Sequence, residues 1–161
     1  MIEHRYNLAR IFYTYVIDVL KNMPAELPKM DSETRKDTIA LAELSTRARS
    51  DVERNWRAPG QEVTEVHPLE MPTRFAGQLQ TMIQSLKIVN HYENGKFELL
   101  ETDQEMINKL ALDSITKMRR IVMQELSKYE VIETTGLAIK LGLPTNSVRH
   151  YLEDLTVLEI A

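Results

Sequence analysis

The chain has 161 residues, 43% of them hydrophobic and 27% charged, with a formal net charge of −4 at pH 7. That balance describes a globular chain able to bury one core or two small ones. It argues against a nucleic-acid binder held by bulk positive charge alone. Cysteine is absent, which excludes disulfides and thiolate metal sites and fits an intracellular, cytoplasmic setting. No run reaches the roughly 18 apolar residues a membrane span needs. The apolar N-terminal stretch is broken by Arg5, Arg10 and Asp18 and carries no signal-peptide cleavage pattern, so no membrane partner is expected. Aromatics at 6% and only five glycines favour an all-α chain, mainly helical, with little or no β structure.

In chain order, Leu8, Ile11, Phe12, Tyr15, Val19 and Leu20 give helical spacing over residues 3–22, ended by Met23-Pro24 and Leu27-Pro28. The group Tyr6, Phe12, Tyr13 and Tyr15 covers more than one face of this helix. It packs into the core or forms a homo-oligomer seam. Asp31 or Ser32 caps a second helix expected to run to about Arg54. Residues 55–71 read as a loop around Pro59, Gly60 and Pro68, with one short strand at 62–66 and Trp56 as an anchor. Pro72 opens a third helix through Phe75, Leu79, Met82, Ile83, Leu86 and Val89, stopping near Asn90, with a turn at Asn94-Gly95. After an extended piece at 97–100, Thr102-Asp-Gln-Glu105 fits a capping box for a fourth helix whose apolar face is Met106, Ile107, Leu110 and Ala111. A fifth helix is expected over 114–129.

The most informative segment follows. Leu137, Ala138 and Leu141 share one face of a short helix; Gly142-Leu-Pro144 makes a turn; Val148, Leu152 and Leu155 share one face of a second helix. Two short helices sharing such a seam form a helix-turn-helix, whose second helix commonly enters the DNA major groove. Its exposed candidates for DNA contact are Lys140, Thr145, Asn146, Ser147, Arg149 and His150. Arginine and asparagine suit guanine and adenine edges, and the hydroxyls suit phosphate. Against this stand Glu153, Asp154 and Glu159, which would repel phosphates. Lys117, Arg119 and Arg120 are further candidates for backbone contact. Residues 158–161 could begin the wing of a winged helix, but the return strand is missing, so the chain is expected to be part of a longer protein.

From Leu44 onward the order of features resembles the C-terminal part of helicase-like and MoxR-like AAA+ ATPases, of bacterial or mobile-element type. The residues carrying this are Arg47-Ala-Arg-Ser-Asp-Val-Glu-Arg54, Glu70-Met-Pro-Thr-Arg-Phe-Ala-Gly-Gln-Leu79, the capped fourth helix and the helix-turn-helix. The resemblance implies a helical lid followed by a winged helix. Arg74 would stand at the sensor position that reaches nucleotide phosphates, and Arg47 or Arg49 would be offered to a neighbouring subunit. ATP and magnesium would then belong to the larger ATPase, and its core or neighbouring subunits would be partners. The chain departs from the family in lacking a phosphate loop. Gly95-Lys96 is followed by Phe97, so Gly-x-x-x-x-Gly-Lys-Ser/Thr is not met.

Histidines at 4, 67, 91 and 150 are scattered, and no Gly-x-Ser-x-Gly elbow occurs, so no metal or catalytic site is expected. The expected organisation is a helical module over 1–112, lid-like from about 44, and a winged-helix-like module over 113–161. Three roles are open: a non-catalytic DNA-binding or regulatory segment of a AAA+ ATPase in replication or mobile-element maintenance, a stand-alone winged-helix transcriptional regulator, or a protein-interaction adaptor.

Overall fold

The computed structural model describes residues 2–160 apart from 56, 58–60 and 69, with side chains from residue 7 onward. Among these residues the chain folds into seven helices and one two-stranded sheet. The expectation of an all-α fold with little β holds, with 67% of the chain helical. Trp56, Pro59 and Gly60 lie outside the described residues.

Helix α1 spans Ile2–Lys21 and α2 spans Ser32–Arg49. Asp31 caps α2, its Oδ1 accepting from the Thr34 backbone N–H at 2.8 Å, which satisfies an orphan donor of the first turn. These bonds hold the Asp31 carboxyl below its ordinary range, chiefly through the Thr34 backbone. The helix was expected to reach Arg54 but stops five residues earlier. Thr46 and Ser50 turn their hydroxyls back onto the Ala42 and Thr46 carbonyls, a local competition that loosens a helix end. Ser50 is already extended.

The chain then forms β1 (Val52–Arg54), which pairs antiparallel with β2 (Val63–Val66), Val52 opposite Val66 and Glu53 opposite Glu65. The short strand read at 62–66 is present; its partner was hidden in what looked like helix. A bulge falls between Glu53 and Arg54, where such irregularities re-aim a side chain.

Helix α3 (Pro72–Asn94) begins at its proline and continues past Asn90 to a left-handed cap at Gly95, φ 75°. Asn90 is therefore inside the helix. Its amide donates to the Glu98 carbonyl at 2.8 Å and to Asp103 Oδ2 at 2.6 Å, pinning the connector. Helix α4 (Glu101–Asp113) is entered through Asp103 rather than the expected Thr102 and Glu105: the Leu100 backbone N–H donates to Asp103 Oδ2 at 3.0 Å.

Ala42 of α2, Phe75, Leu79 and Ile83 of α3, and Ile107 and Ala111 of α4 form one buried cluster. A second cluster joins Val122 of α5 (Lys117–Leu126), Leu137 and Ala138 of α6 (Thr134–Leu141), and Val148 and Leu155 of α7 (Thr145–Val157). Helix α5 is shorter than the expected 114–129, because Ser114 closes α4 and residues 127–129 form turns.

Helix α1 runs antiparallel to α3. The Tyr15 hydroxyl donates to Glu93 Oε1 at 2.7 Å and its ring meets Tyr92 edge-on, while Val19, Leu20 and Met23 approach Ser85 and Ile88. Residues 7–14 are exposed throughout.

Candidate nucleic-acid interface

The two short helices α6 and α7 share the buried seam that their spacing foretold. Gly142 closes α6 in the left-handed region, φ 63°, its N–H reaching the Ala138 and Ile139 carbonyls. The Leu143 N–H donates to the Ala138 carbonyl at 3.0 Å, a 6→1 closure typical of a glycine-ended helix. Pro144 then stands at the N-cap of α7 and offers no side-chain acceptor, so the first-turn N–H groups of α7 point outward with the positive end of the helix dipole. Val148 and Leu155 are fully buried against α5 and α6.

Thr145, Asn146 and Arg149 are exposed on the outer face of α7, and Lys140 is exposed at the end of α6. Lys140 Nζ sits 4.9 Å above the Tyr129 ring, a cation–π contact that steadies the ammonium without neutralising it. Ser147 and His150 are half-buried on the margin of that face, and the His150 carbonyl accepts from Arg54 Nη2 at 2.8 Å. The six candidates are thus one neighbourhood, with four in the open and two turned toward the body.

The acidic residues that argued against phosphate contact are each engaged. Asp154 is buried between two arginines: Arg54 Nη2 lies 2.5 Å from Oδ1 and Arg119 Nη2 lies 3.1 Å from Oδ2. Glu153 Oε2 is 2.8 Å from Arg54 Nη1, and Glu153 Oε1 is 3.6 Å from Arg149 Nε. Glu159 Oε2 is 2.7 Å from Arg47 Nη1. Burial acts to lower the Arg54 pKa, but the hydrogen bonds to Asp154 and Glu153 outweigh it and hold the guanidinium above its ordinary value. The second helix was expected to end near Arg54. That residue stands instead on β1 with a side chain only 3% exposed. Arg119 is likewise buried, donating to the Ala48 and Ser50 carbonyls, and Arg120 is paired with Asp113. Neither is available for backbone contact; Lys117 remains exposed.

The nucleotide-sensing candidates separate. Arg47 is shared between Glu43 and Glu159. Arg49 pairs with Glu70 and lies over the Phe75 ring at 4.8 Å. Glu70, four residues before Arg74, is thereby engaged, and Arg74 is exposed in the first turn of α3, which has no acidic residue. Among the described residues, no group of three His, Asp or Glu is placed to hold a metal ion, and no helix is long and apolar enough to cross a membrane. Residues 158–160 form a turn rather than a strand. The hairpin that flanks α7 comes from β1 and β2, at the other end of the sequence. A groove between them is lined by Glu62, Val63, Thr134, Arg149, Leu152 and Thr156.

No protein-family model, no curated protein and no solved structure matches the chain.

Proposed function

We propose that the chain is a non-catalytic DNA-binding module in which the first turns of α7, with Lys140 of α6, meet the nucleic acid. The observation that supports this best is the disposition of charge around α7. Asn146 and Arg149 are open to solvent at an uncapped helix start, Asp154 is buried between Arg54 and Arg119, and Glu153 is shared between Arg54 and Arg149. Residues 117–160 carry six basic and six acidic residues, so the net negative charge lies in the rest of the chain. A module without net charge, in which Glu153, Asp154 and Glu159 are each paired with arginine, can present a locally positive face, and the backbone amides at the helix start add to it.

The test is fluorescence anisotropy of labelled duplex and single-stranded DNA at two salt concentrations, with Arg149→Ala alongside. The expected result is binding that weakens with salt, and a further loss of about tenfold on substitution, the lower part of the range for a base or phosphate contact. Absence of binding at low salt, or an Arg149→Ala variant that binds like the parent, refutes the proposal.

The adaptor reading is favoured by one feature. Ile139, next to Lys140 in the chain, is 81% exposed and Val131 is 90% exposed, and isolated exposed apolar residues also suit a protein partner. The ATPase-lid reading rests on Arg74, free at the start of α3; titration with a fluorescent ATP analogue against Arg74→Ala tests it, and equal affinities refute it.

A further inference from the structure

Ala9, Tyr13, Val16, Leu20 and Met23 follow one another at intervals of four, three, four and three residues along α1 and its end. That is the narrow seam of a helix paired with another helix, in which each apolar residue inserts between residues of the facing helix. Helix α3 covers the side of α1 carrying Tyr15 and Val19, and Val16, Leu20 and Met23 of the seam border that contact. The seam itself is open: Tyr13 is 67% and Leu20 55% exposed, and Met23 is exposed as well. Phe12 borders the seam on the side nearest α3 and is also exposed. Among residues 7–21 the charges are Arg10, Asp18 and Lys21, on a strip away from the seam that runs alongside Thr14.

We propose that a second copy of the chain covers this seam, the two α1 helices lying antiparallel about a two-fold axis. The molecule carries both halves of the fit. Residues 7–14 project past the last turn of α3 as an exposed apolar ridge, and Val16, Leu20 and Met23 line an apolar groove with Ile88 and Val89 of α3. A two-fold rotation places each ridge in the partner's groove and closes the assembly at two copies. In that register Tyr13 faces Val16 and Ala9 faces Leu20. Arg10, the nearest to the seam of the charges in residues 7–21, comes over Ile17 rather than over another cation.

The area is adequate. Phe12, Tyr13, Leu20 and Met23, each offering roughly 100 Å², give with their smaller neighbours about 500 Å² per copy. The pair then buries about 1,000 Å², the floor for a specific interface. A dimer of modest affinity, with a dissociation constant on the order of micromolar, is the expected outcome.

Sedimentation velocity of the full chain across a concentration series tests this directly. The expected behaviour is a shift from 18.7 kDa toward twice that mass. Leu20→Glu should return the protein to monomer with its far-ultraviolet circular dichroism unchanged, since Leu20 is largely exposed in the single copy. Thr14→Glu, on the polar strip, should dimerise normally. The chain has no cysteine, so orientation is read by air oxidation: Tyr13→Cys mixed with Val16→Cys should cross-link far more than either variant alone. A monomer at every concentration overturns the proposal. So does a dimer indifferent to Leu20→Glu, or cross-linking that is equal in the single-variant samples. DNA is absent from these experiments, so their outcome is independent of the nucleic-acid reading.

Discussion

Replacing Asp154 with alanine should be among the most damaging single changes to this protein. The carboxylate is 10% exposed and receives Arg54 on one oxygen and Arg119 on the other, with those side chains 3% and 9% exposed. Deleting it leaves two guanidinium groups in a low-dielectric site. Arg54 retains Glu153 and the Gln61 and His150 carbonyls. Arg119 retains the Ala48 and Ser50 carbonyls but has no charge partner left. Removing one partner of a buried ion pair costs about 3–5 kcal/mol, because the stranded charge must be rehydrated or buried alone. With total stability of about 5–15 kcal/mol for a chain of this kind, that is a large share. At about 2–4 °C per kcal/mol it corresponds to a fall of roughly 6–20 °C in Tm. Urea unfolding followed by circular dichroism measures it. Asp154→Asn, which keeps an acceptor oxygen for one arginine, should fall between the parent and alanine. Replacing Arg119 with methionine in the Asp154→Ala background should recover part of the loss, since the unpaired charge is then gone. An Asp154→Ala variant within about 1 kcal/mol of the parent would refute the reasoning, placing both arginines in water rather than in a shared buried site.

Two further outcomes follow from local geometry. Gly142→Ala places a Cβ in the left-handed region with no neighbour within 4 Å, so the cost is backbone strain without collision, about 1 kcal/mol by urea unfolding; a stabilised variant would show that the αL cap is not held in solution. Tyr15 donates to Glu93, and this bond, followed by burial and the Glu93 charge, raises its pKa from 10.0 to about 12. A group whose folded pKa is raised contributes stability that is intact below pH 10 and is lost as pH climbs from 10 toward 12. Tyr15→Phe should therefore flatten the decline in thermal stability over that window. Parallel declines in the two proteins would mean that the α1–α3 contact does not depend on this hydrogen bond.

Much of the helical frame was legible because it rests on local chemistry. Asp31 as an N-cap, Pro72 as a first helical residue and Gly142 as a helix stop each act through their own backbone neighbours, and each lies where the spacing put it. The seam between α6 and α7 was legible for the same reason, since its periodicity is written within some twenty residues. What escaped notice was decided by distant partners. Arg54 looks like a helical cation beside Arg47 and Arg49, and only a carboxylate a hundred positions away reveals it as a buried strand residue. Val52 gave no strand signal of its own, because three residues are too few to show alternation, and β1 exists by pairing with β2. Asn90 read as a helix end because asparagine favours ends. Its bonds to Glu98 and Asp103 keep it inside instead. At the candidate interface, the exposed residues could be listed from sequence, but the fate of Glu153, Asp154 and Glu159 could not. Whether an acid repels a ligand depends on which arginine has already claimed it.

The Arg54–Asp154–Arg119 tie also bears on how the chain reaches this fold. Its bonds close loops of 100 and 35 residues, whereas the α5–α7 cluster needs only contacts within some forty. Short loops close first, since entropy rises with loop length and distant contacts give nothing until both ends are in place. On a ribosome, Arg54 emerges long before Asp154 has been made. A leucine at that position would spend the interval as an exposed apolar edge on an unfinished hairpin, open to strand pairing with another nascent chain. An arginine spends it hydrated and repelling its own kind, and surrenders that hydration only when its carboxylate arrives.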